Sequence, residues 1–397
     1  MAKPVNVADY RELAKKRLPK IVFDYLDGGA EDEFGLERNR REFDNILFRP
    51  RRLVDVSKRS VATALFGKHI AAPMVIAPTG LNGIFWPHGD IALAQAAARF
   101  GIPFALSTAS TTTIEDVARA SDGELWFQLY VVHRKLAELL VKRALQAGYT
   151  TLVLTTDVGV NGKRERDMRN GFGMPMKYTM KTAIDGILHP RWTWDLLTNG
   201  MPQLANFASD QVQDTELQAA LMSRQMDASF SWSDLKWLRD MWPHKLLVKG
   251  LSREDDVARC ASLGIDGVIL SNHGGRQLDS AIAPIQALPQ SSAATQLPVL
   301  LDSGVRRGSD IVKAVALGAD AVLLGRATLY GLAARGQTGV TEVLNLLKSE
   351  IDTTLAQIGC ADINELARDF IWEGASATEL PQEAIQETST MQLAVSR

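Results

Sequence analysis

The segment VLLDSGVRRGSDIVKAVALGADAVLLGRA, residues 299–327, decides the fold of this chain. Two short apolar runs, at residues 299–303 and 321–325, flank a stretch whose apolar residues recur with the period of a helix. Strands that are apolar throughout and joined by a helix are typical of a parallel sheet covered on both faces. The segment therefore predicts one strand–helix–strand unit of an α/β protein.

The same unit recurs along most of the chain. Eight apolar runs alternate with helical patterns, and they lie at residues 74–78, 104–108, 125–130, 151–157, 245–250, 267–271, 299–303 and 321–325. Eight such units predict an α/β fold of the (β/α)8 TIM barrel type, preceded by an N-terminal helical segment. An open, doubly wound parallel sheet remains the alternative on this pattern alone.

One long insertion interrupts the repeat after the fourth predicted strand. The fourth run ends at residue 157 and the fifth begins at residue 245, and residues 158–230 between them are rich in Met, Trp, Lys, Arg and Gly. A long loop within a compact domain is usually functional or mobile. We expect a single domain over residues 1–380, which includes this insertion, and a polar tail over residues 381–397.

The composition excludes several classes of protein. The 397 residues carry a net charge of −2, so no global basic field indicates nucleic-acid binding. Cys260 and Cys360 provide neither a metal-binding spacing nor a disulfide framework, which is typical of a reducing cytoplasm. The chain has no apolar run of about 18 residues, so we expect no membrane-spanning helix. The charged N-terminus lacks the apolar core of a signal peptide.

Polar residues stand at the carboxyl ends of the predicted strands, where a TIM barrel places its active site. They are Gln128, Tyr130, Thr155, Asp157, Lys249, Ser271, His273 and Asp302. Any one of them alone is equally consistent with a solvated loop. A ring of them at successive strand ends predicts a ligand or mutual pairing, because unpaired polar groups are costly to bury.

The last two units indicate a phosphorylated ligand. Arg306 lies in a Gly-rich turn before one helix, and Gly325 and Arg326 begin the next. TIM barrels frequently bind phosphate between these loops, where backbone N–H groups and the positive helix end attract the anion. Lys249 has three interpretations: an ion pair with Asp302, a Schiff base, or a fixed cation that stabilises a reduced flavin ring.

Eight motifs carry a resemblance to a known family. They are FDYLDGGAEDE, APTGLNG, WFQLY, LTTDVGVNGKRERD, LLVKG, SNHGGRQLD, DSGVRRGSD and LLGRA, and together they extend over nearly the whole chain. The chain resembles the FMN-dependent α-hydroxy acid dehydrogenases and oxidases, the glycolate oxidase and flavocytochrome b2 group. PTGLNG, TTDVGVNG and LHPRWTWDLLTNGMPQLANF resemble the branch of that family that dehydrogenates (S)-mandelate.

The resemblance implies FMN as the cofactor and assigns residues to it. Contacts to the flavin ring and the ribityl chain are expected from Pro78, Thr79, Gly80, Ser107, Gln128, Thr155, Lys249 and Ser271. Contacts to the ribityl chain and the phosphate are expected from Asp302, Gly304, Arg306, Gly325 and Arg326. The resemblance implies no metal ion.

The resemblance also implies a substrate shell, made of Tyr25, Tyr130, Arg164, His273 and Arg276. Arg164 and Arg276 would bind the carboxylate of a 2-hydroxy acid by charge-assisted hydrogen bonds. His273 would act as the general base, with Asp157 holding its tautomer. Removal of the C2 proton (a carbanion route) and removal of the hydroxyl proton (a hydride route) both remain open.

Two departures from the family pattern bear on the substrate and the oxidant. Ala109 stands where plant-type glycolate oxidases have a large tryptophan, which would open the pocket for an aromatic substituent, although neutral drift in a loop is the alternative. Gly80 stands where the oxidases of the family have alanine, which favours a dehydrogenase that transfers electrons to an acceptor other than oxygen.

The insertion resembles a membrane-binding segment over residues 176–215. Basic, aromatic and apolar residues suited to a headgroup interface occur together there: Lys177, Lys181, Arg191, Trp192, Trp194, Leu196, Leu197, Met201 and Phe207. By the resemblance we expect peripheral attachment to the inner face of the cell membrane, a membrane quinone as electron acceptor, and a homotetramer. An active-site lid or a subunit contact is the alternative for the insertion.

The resemblance therefore implies FMN-dependent oxidation of an (S)-2-hydroxy acid, foremost (S)-mandelate to benzoylformate, as a step of mandelate degradation. The first alternative is an FMN oxidase on the same scaffold that produces hydrogen peroxide. The second, from a different class, is a non-redox TIM-barrel isomerase or aldolase that acts on a phosphorylated ligand through Lys249.

Overall fold

The computed structural model describes residues 3–173, 179–207 and 227–372. Eight parallel strands form a closed barrel, in the order in which they occur along the chain. They are β3 (Met74–Ile76), β4 (Phe104–Ser107), β5 (Leu125–Leu129), β6 (Thr151–Thr155), β7 (Lys245–Leu251), β8 (Gly267–Leu270), β9 (Val299–Leu301) and β10 (Ala321–Leu324). The ring closes where β10 pairs with β3, which confirms the TIM barrel and excludes the open sheet.

A helix follows each strand along the chain. These helices are α4 (Gly89–Phe100), α5 (Ile114–Ala120), α6 (Arg134–Gln146), α10 (Trp232–Met241), α11 (Glu254–Ser262), α12 (Pro284–Ala293), α13 (Gly308–Ala316) and α14 (Arg326–Ile358). Helix α14 is broken at Arg335 and Gly336, where the backbone is not helical. Gly336 has a φ of +60°, and a Cβ atom there would lie 2.5 Å from the ring of Trp86, so only glycine fits this kink.

The expected N-terminal helical segment precedes the barrel. It consists of α1 (Val7–Arg17), α2 (Lys20–Asp27) and α3 (Phe34–Asp44). A hairpin that sequence reasoning missed then follows, with strands β1 (Thr63–Leu65) and β2 (Lys68–Ile70). Its Leu65 and Ile70 belong to the same buried cluster as the inward-facing residues of the barrel strands, and the Phe66 ring contacts Trp126 edge to face. The hairpin therefore caps the amino end of the barrel and leaves the carboxyl end for a ligand.

The insertion was expected to be a loop, and in its described parts that expectation is wrong. It contains α7 (Glu165–Asn170), α8 (Met180–Leu188), α9 (Pro190–Asn199) and a 3-10 turn at Ala205–Phe207. Local signals explain these helices. Thr179 caps the amino end of α8 with its side chain, and Pro190 occupies the first position of α9, where its missing N–H costs nothing.

The predicted membrane-binding segment is only partly exposed. The Trp192 side chain is buried and its Nε1 donates to the Ile84 carbonyl at 2.8 Å, and Phe207 lines the cavity described below. Both residues were expected to face the membrane, and that expectation is wrong. Trp192 and Leu196 are four residues apart on α9, so both lie on the face of the helix that packs against the core.

The outer face of α8 and α9 carries exposed apolar side chains: Met180, Ile184, Ile187, Leu188, Trp194 and Leu197. Lys177, residues 208–215 of the segment and the tail at 381–397 lie outside the described residues. Within the described part of the chain, no helix is both long enough and apolar enough to cross a membrane.

Candidate active site

One cavity opens at the carboxyl ends of the barrel strands, and nearly every predicted site residue lines it. The lining includes Tyr25, Pro78, Thr79, Gly80, Ser107, Ala109, Gln128, Tyr130, Thr155, Arg164, Lys249, His273, Arg276, Asp302, Gly304, Arg306, Gly325 and Arg326. Asp157 and Ser271 are the two predicted residues outside the lining, and both support residues that are part of it. The structure thus brings together positions from all eight strand ends.

His273 lies between Asp157 and Tyr130. Its Nδ1 is 3.0 Å from Oδ1 of Asp157, and its Nε2 is 3.4 Å from the hydroxyl of Tyr130. A carboxylate can only accept a hydrogen bond, so this contact assigns the proton of a neutral His273 to Nδ1. Nε2 is then left with a lone pair, which is what a general base requires.

Burial lowers the pKa of His273, and the nearby cations Lys249 and Arg164 act in the same direction, although Asp157 partly opposes them. The pKa of Asp157 is also lowered: its burial works against ionisation, but His273 and Lys249 outweigh it. At neutral pH the pair is therefore a neutral imidazole beside a carboxylate. This charge state suits a histidine that accepts a proton and a carboxylate that stabilises the resulting imidazolium.

The backbone of the SNHGGRQLD motif explains how His273 and Arg276 both reach the cavity. His273, Gly274 and Gly275 have φ values of +58°, +66° and +74°, all in the left-handed region. A Cβ atom at Gly275 would lie 2.7 Å from the backbone nitrogen of Leu36. The glycines permit a tight turn against α3, and His273 adopts a strained conformation of the kind that accumulates at functional sites.

A cluster of arginines makes the cavity attractive to anions. Arg164 Nε donates to the backbone carbonyl of Arg276 at 3.4 Å, and both side chains line the same cavity, close enough for their charges to repel each other. Burial, together with the neighbouring charge of Arg164, lowers the pKa of Arg276 to about 9. A bound carboxylate would relieve this repulsion, and guanidinium groups bind carboxylates by paired hydrogen bonds.

Arg276 and Arg326 also hold the end of α2 against the site. Arg276 donates to the carbonyls of Tyr25 and Gly28 at 2.7 and 2.8 Å, and its guanidinium lies 4.9 Å from the centre of the Tyr25 ring. The guanidinium of Arg326 donates to the carbonyls of Leu26, Gly28 and Gly274. Three of its five N–H groups are therefore committed to the backbone, a role that sequence reasoning did not foresee.

Lys249 is buried and forms an ion pair with Asp302, with 3.0 Å between Nζ and Oδ2. Burial opposes its charge, but Asp302 and Asp157 raise its pKa above the usual value, so Lys249 stays protonated. A Schiff base requires the neutral amine, so this environment favours the ion-pair and fixed-cation interpretations of Lys249 over the Schiff base. Ser271 accepts from Lys249 Nζ at 2.8 Å and from the His273 backbone at 3.0 Å, so it supports these two residues from behind.

Two buried side chains in the lining fit the FMN that the resemblance implies. Among the described residues, Gln128 Nε2 and Thr155 Oγ1 have no hydrogen-bond partner, although both atoms are fully buried. Unsatisfied buried polar groups are rare and indicate a missing ligand or water. Gln128 Oε1 accepts from Ser107 at 3.1 Å, which fixes the amide so that Nε2 remains free to donate.

The far end of the cavity fits a phosphate. Gly304 and Arg306 line the cavity just before α13, and Gly325 and Arg326 line it where α14 begins. Within the described residues Arg306 is in no ion pair; its side chain donates to the Val305 carbonyl and lies 5.6 Å from the centre of the Tyr330 ring. The N–H groups of Arg306, Arg307 and Gly308 already donate to Asp310 and Glu350, so the amino end of α14 and the Arg306 guanidinium are the groups suited to a phosphate.

Gly80 and Ala109 face each other across the cavity wall. A Cβ atom on Gly80 would lie 3.1 Å from the Cβ of Ala109 and 3.2 Å from its carbonyl oxygen. The two loops are also joined by a hydrogen bond from the Leu81 backbone to the Ala109 carbonyl at 3.0 Å. A side chain at Gly80 would therefore press on Ala109, so the space at this wall depends on both residues.

Several apolar residues of the lining were missed from the sequence. Leu81, Phe85, Val132, Val158 and Leu204 join Phe207 in the wall of the cavity. Sequence reasoning looked for chemistry at strand ends and gave no role to apolar positions in loops. Within the described residues, no cluster of three or more acidic, histidine or cysteine side chains could hold a metal ion.

Comparison with known proteins agrees with this geometry. The model of a family described as FMN-dependent dehydrogenase matches residues 14–373. The (S)-mandelate dehydrogenase of Pseudomonas putida is 64% identical over 374 residues, which cover 94% of this chain and 95% of that protein.

Two solved structures extend the comparison. The crystal structure of the monotopic membrane protein (S)-mandelate dehydrogenase matches with a TM-score of 0.91 and 64% identity, covering 94% of this chain and 100% of that one. A mandelate oxidase variant with (S)-mandelic acid matches with a TM-score of 0.79 and 33% identity, covering 94% of this chain and 100% of that one. On the extent and identity of these matches, the chain belongs to the FMN-dependent dehydrogenase family.

Proposed function

We propose that this chain is an FMN-dependent dehydrogenase of (S)-2-hydroxy acids, with (S)-mandelate as its main substrate and benzoylformate as its product. The observation that carries the proposal is one arrangement: the His273–Asp157 pair and two arginines surround a single apolar-walled cavity. A 2-hydroxy acid needs a base for its CH(OH) group, cations for its carboxylate, and apolar surface for its substituent. The similarity to mandelate dehydrogenase supports the choice of substrate.

The substrate carboxylate binds to Arg164 and Arg276 in this proposal. Nη1 of Arg276 donates to the carbonyls of Tyr25 and Gly28, and its Nη2 lies 4.0 Å from Oδ2 of Asp167, so the guanidinium is held in one orientation in the cavity wall. A rigid clamp restricts the orientation of the substrate before reaction, which lowers the entropic part of the barrier. Tyr25 contributes an aromatic face beside Arg276.

Proton removal is the task of His273. Its Nε2 accepts the proton that leaves the CH(OH) group of the substrate, and Asp157 stabilises the imidazolium that results. The hydroxyl of Tyr130 lies beside Nε2, and burial raises its pKa, so it stays protonated and donates to the substrate oxygen. FMN, when bound, would supply the acceptor for the two electrons and the second proton that the substrate loses, since His273 takes only one of the two protons.

The residues that would hold FMN are those assigned to it from the sequence. Gln128 and Thr155 would donate their free polar groups, and Lys249 would supply a fixed positive charge. The start of α14 and Arg306 would bind the phosphate. Pro78, Thr79 and Gly80 line the same cavity, and Ser271 would support the site through the hydrogen bond that it accepts from Lys249.

The first experiment tests the substrate. Purified protein is mixed anaerobically with (S)-mandelate, (R)-mandelate, lactate, glycolate or phenyllactate, and the flavin absorbance near ~450 nm is followed. We expect (S)-mandelate to bleach the flavin fastest and (R)-mandelate to leave it oxidised. Purification without bound flavin would favour the isomerase or aldolase alternative, and bleaching by none of the acids would refute the proposed substrate class.

The exposed apolar face of α8 and α9 supports attachment to the cytoplasmic surface of the cell membrane. Ile187 and Leu197 each expose about three quarters of their surface, at 74%, which is costly in water and favourable at a lipid interface. The matching monotopic structure supports the same location. A membrane quinone is the acceptor that suits this location, and the homotetramer stays a prediction.

Membrane attachment is tested by the double variant Ile187→Glu and Leu197→Glu. Two charges on this face should release the protein from sedimented membranes and leave dye-linked turnover unchanged. Leu47→Glu, which alters an exposed leucine outside the insertion, is the matched control. Retention of the double variant on membranes would contradict the assignment.

The acceptor is tested by reoxidation. The reduced enzyme should react slowly with oxygen and rapidly with a quinone, because the dehydrogenase match has the higher identity and Gly80 replaces the alanine of the oxidases. Reaction with oxygen as fast as that of an oxidase, with stoichiometric hydrogen peroxide, would establish the oxidase alternative instead.

A further inference from the structure

The turn at residues 204–207 joins the insertion to the active site. The chain leaves the exposed face of α9 at Asn199 and returns to the barrel, where Leu204 and Phe207 both line the cavity. Asn206 lies between them, is fully buried, and points in the other direction, into the barrel wall. The same short turn thus presents two apolar side chains to the cavity and one polar side chain to the scaffold.

Asn206 is bonded to the barrel by a specific set of contacts. Its Oδ1 accepts from the backbone N–H of Ile114 at 3.0 Å, and its Nδ2 donates to Oγ of Ser110 at 2.9 Å. Its carbonyl accepts from Arg143 at 3.1 Å, and Arg143 forms an ion pair with Glu115. A buried amide satisfied in this way fixes a single register, because any shift would leave several polar groups unpaired.

The loop that receives Asn206 also carries part of the cavity wall. Ser110 directly follows Ala109, and the Ser110 carbonyl accepts from the backbone of Ala205 at 3.1 Å. Ala109 is the position whose small side chain was predicted to leave room for an aromatic substituent. Hydrogen bonds therefore join the turn to this loop in the part of the cavity wall that the substituent of the substrate would contact.

We propose that Leu204 and Phe207 are specificity-determining residues that contact the C2 substituent of the substrate, and that Asn206 is their positioning residue. The inference rests on the proposed function and deepens it. In the proposed function, the polar residues of the cavity bind the substrate carboxylate, the substrate hydroxyl and the cofactor. An aryl substituent would therefore bind against the apolar residues of the lining. Leu204 and Phe207 are the described residues of the 179–207 segment in that lining.

The decisive experiment compares substrates of different size. In Leu204→Ala and Phe207→Ala, kcat/KM for (S)-mandelate should fall about tenfold, while kcat/KM for (S)-lactate changes less than about twofold, because only the aryl group loses contact. Leu47→Ala, an exposed leucine outside the insertion, is the matched control and should behave as the wild type. An unchanged mandelate-to-lactate ratio in both variants would overturn the inference.

Asn206→Ala tests the positioning role. It should raise KM for mandelate with kcat and flavin content unchanged, and its effect should not add to that of Leu204→Ala in the double variant, because both disturb one wall. Full additivity, or a fall in kcat alone, would contradict positioning by Asn206. Failure of the wild type to oxidise any 2-hydroxy acid would instead refute the proposed function, so the two failures are distinguishable.

Discussion

At the amino end of the barrel, Leu65 and Ile70 of the β1–β2 hairpin pack on apolar residues of the strands, whereas at the carboxyl end the same strands continue into buried polar groups. The amino end has matched apolar surfaces. The carboxyl end holds a strained His273, a depressed Arg276 pKa and unpartnered atoms on Gln128 and Thr155. The comparison teaches that apolar packing closes the amino end, although Trp126 Nε1 in the hairpin cluster also lacks a partner, whereas backbone strain and further unsatisfied polar atoms occur together at the carboxyl end, where a ligand can compensate for them.

The largest expected effect comes from removing the base at the carboxyl end. His273→Asn should lower kcat for (S)-mandelate by about 10³-fold or more, since general base catalysis contributes roughly that much. The flavin absorbance and the melting temperature should stay close to the wild type, because His273 packs in a cavity wall and not in the core. Turnover is measured with an artificial dye as acceptor, and near-normal turnover would remove His273 from the mechanism.

A substitution in the hairpin at the amino end of the barrel should lower the stability of the protein without changing its turnover. Leu65→Ala removes a buried side chain from the hairpin cluster and should lower the free energy of unfolding by about 2–4 kcal/mol, as for other buried leucines. Denaturant unfolding measures the change, and kcat should be unaffected. A loss of turnover in the folded variant would show that the two ends are coupled, contrary to the comparison.

Asp157→Asn tests how much the catalytic base His273 depends on its carboxylate partner. The amide keeps the shape of the side chain but removes the charge that stabilises the imidazolium and the acceptor that holds the His273 tautomer. We expect kcat to fall about 10–100-fold, less than for His273→Asn. Turnover equal to that of the wild type would show that neither the charge nor the tautomer of His273 depends on Asp157.

The smallest expected effect is that of pH on the wild type. Burial places the pKa of His273 below its usual value of 6.5, so the neutral base predominates at pH 7. Mandelate kcat/KM should therefore stay level down to about pH 6.5 and fall tenfold per unit below the pKa of His273, as the imidazolium accumulates. A fall that begins above pH 7 would contradict the direction of the pKa shift.

Much of the site could be predicted because its catalytic and binding residues occur in short sequence motifs. The residues of SNHGGRQLD are close along the chain, and a tight turn between His273 and Arg276 lets both side chains reach one cavity. Asp157, which the resemblance gave as the carboxylate that holds His273, does contact the Nδ1 of that histidine, at 3.0 Å. Arg326 lines the cavity as predicted, but its contacts to the carbonyls of Leu26, Gly28 and Gly274 were not foreseen, since these backbone groups lie on distant segments.

The insertion was the least predictable part of the molecule. Its composition indicated an interface, and α8 and α9 do expose an apolar face. Which aromatic residues face outward depends on the helical phase and on what the helix packs against, so Trp192 and Phe207 were assigned to the wrong side. Composition over a window carries no information about such directions.

The sequence by itself determined the eight-stranded barrel and the chemical types at its carboxyl end, because strand periodicity and turn glycines are local properties that survive without knowledge of distant contacts. Tertiary structure alone decided three things: the hairpin that caps the amino end, the arginines that hold α2 by its carbonyls, and the Asn206 contacts that bring the insertion to the cavity. Each of these depends on pairing between residues far apart in the chain, where a polar or apolar side chain acquires its role only from the partner that packing brings to it.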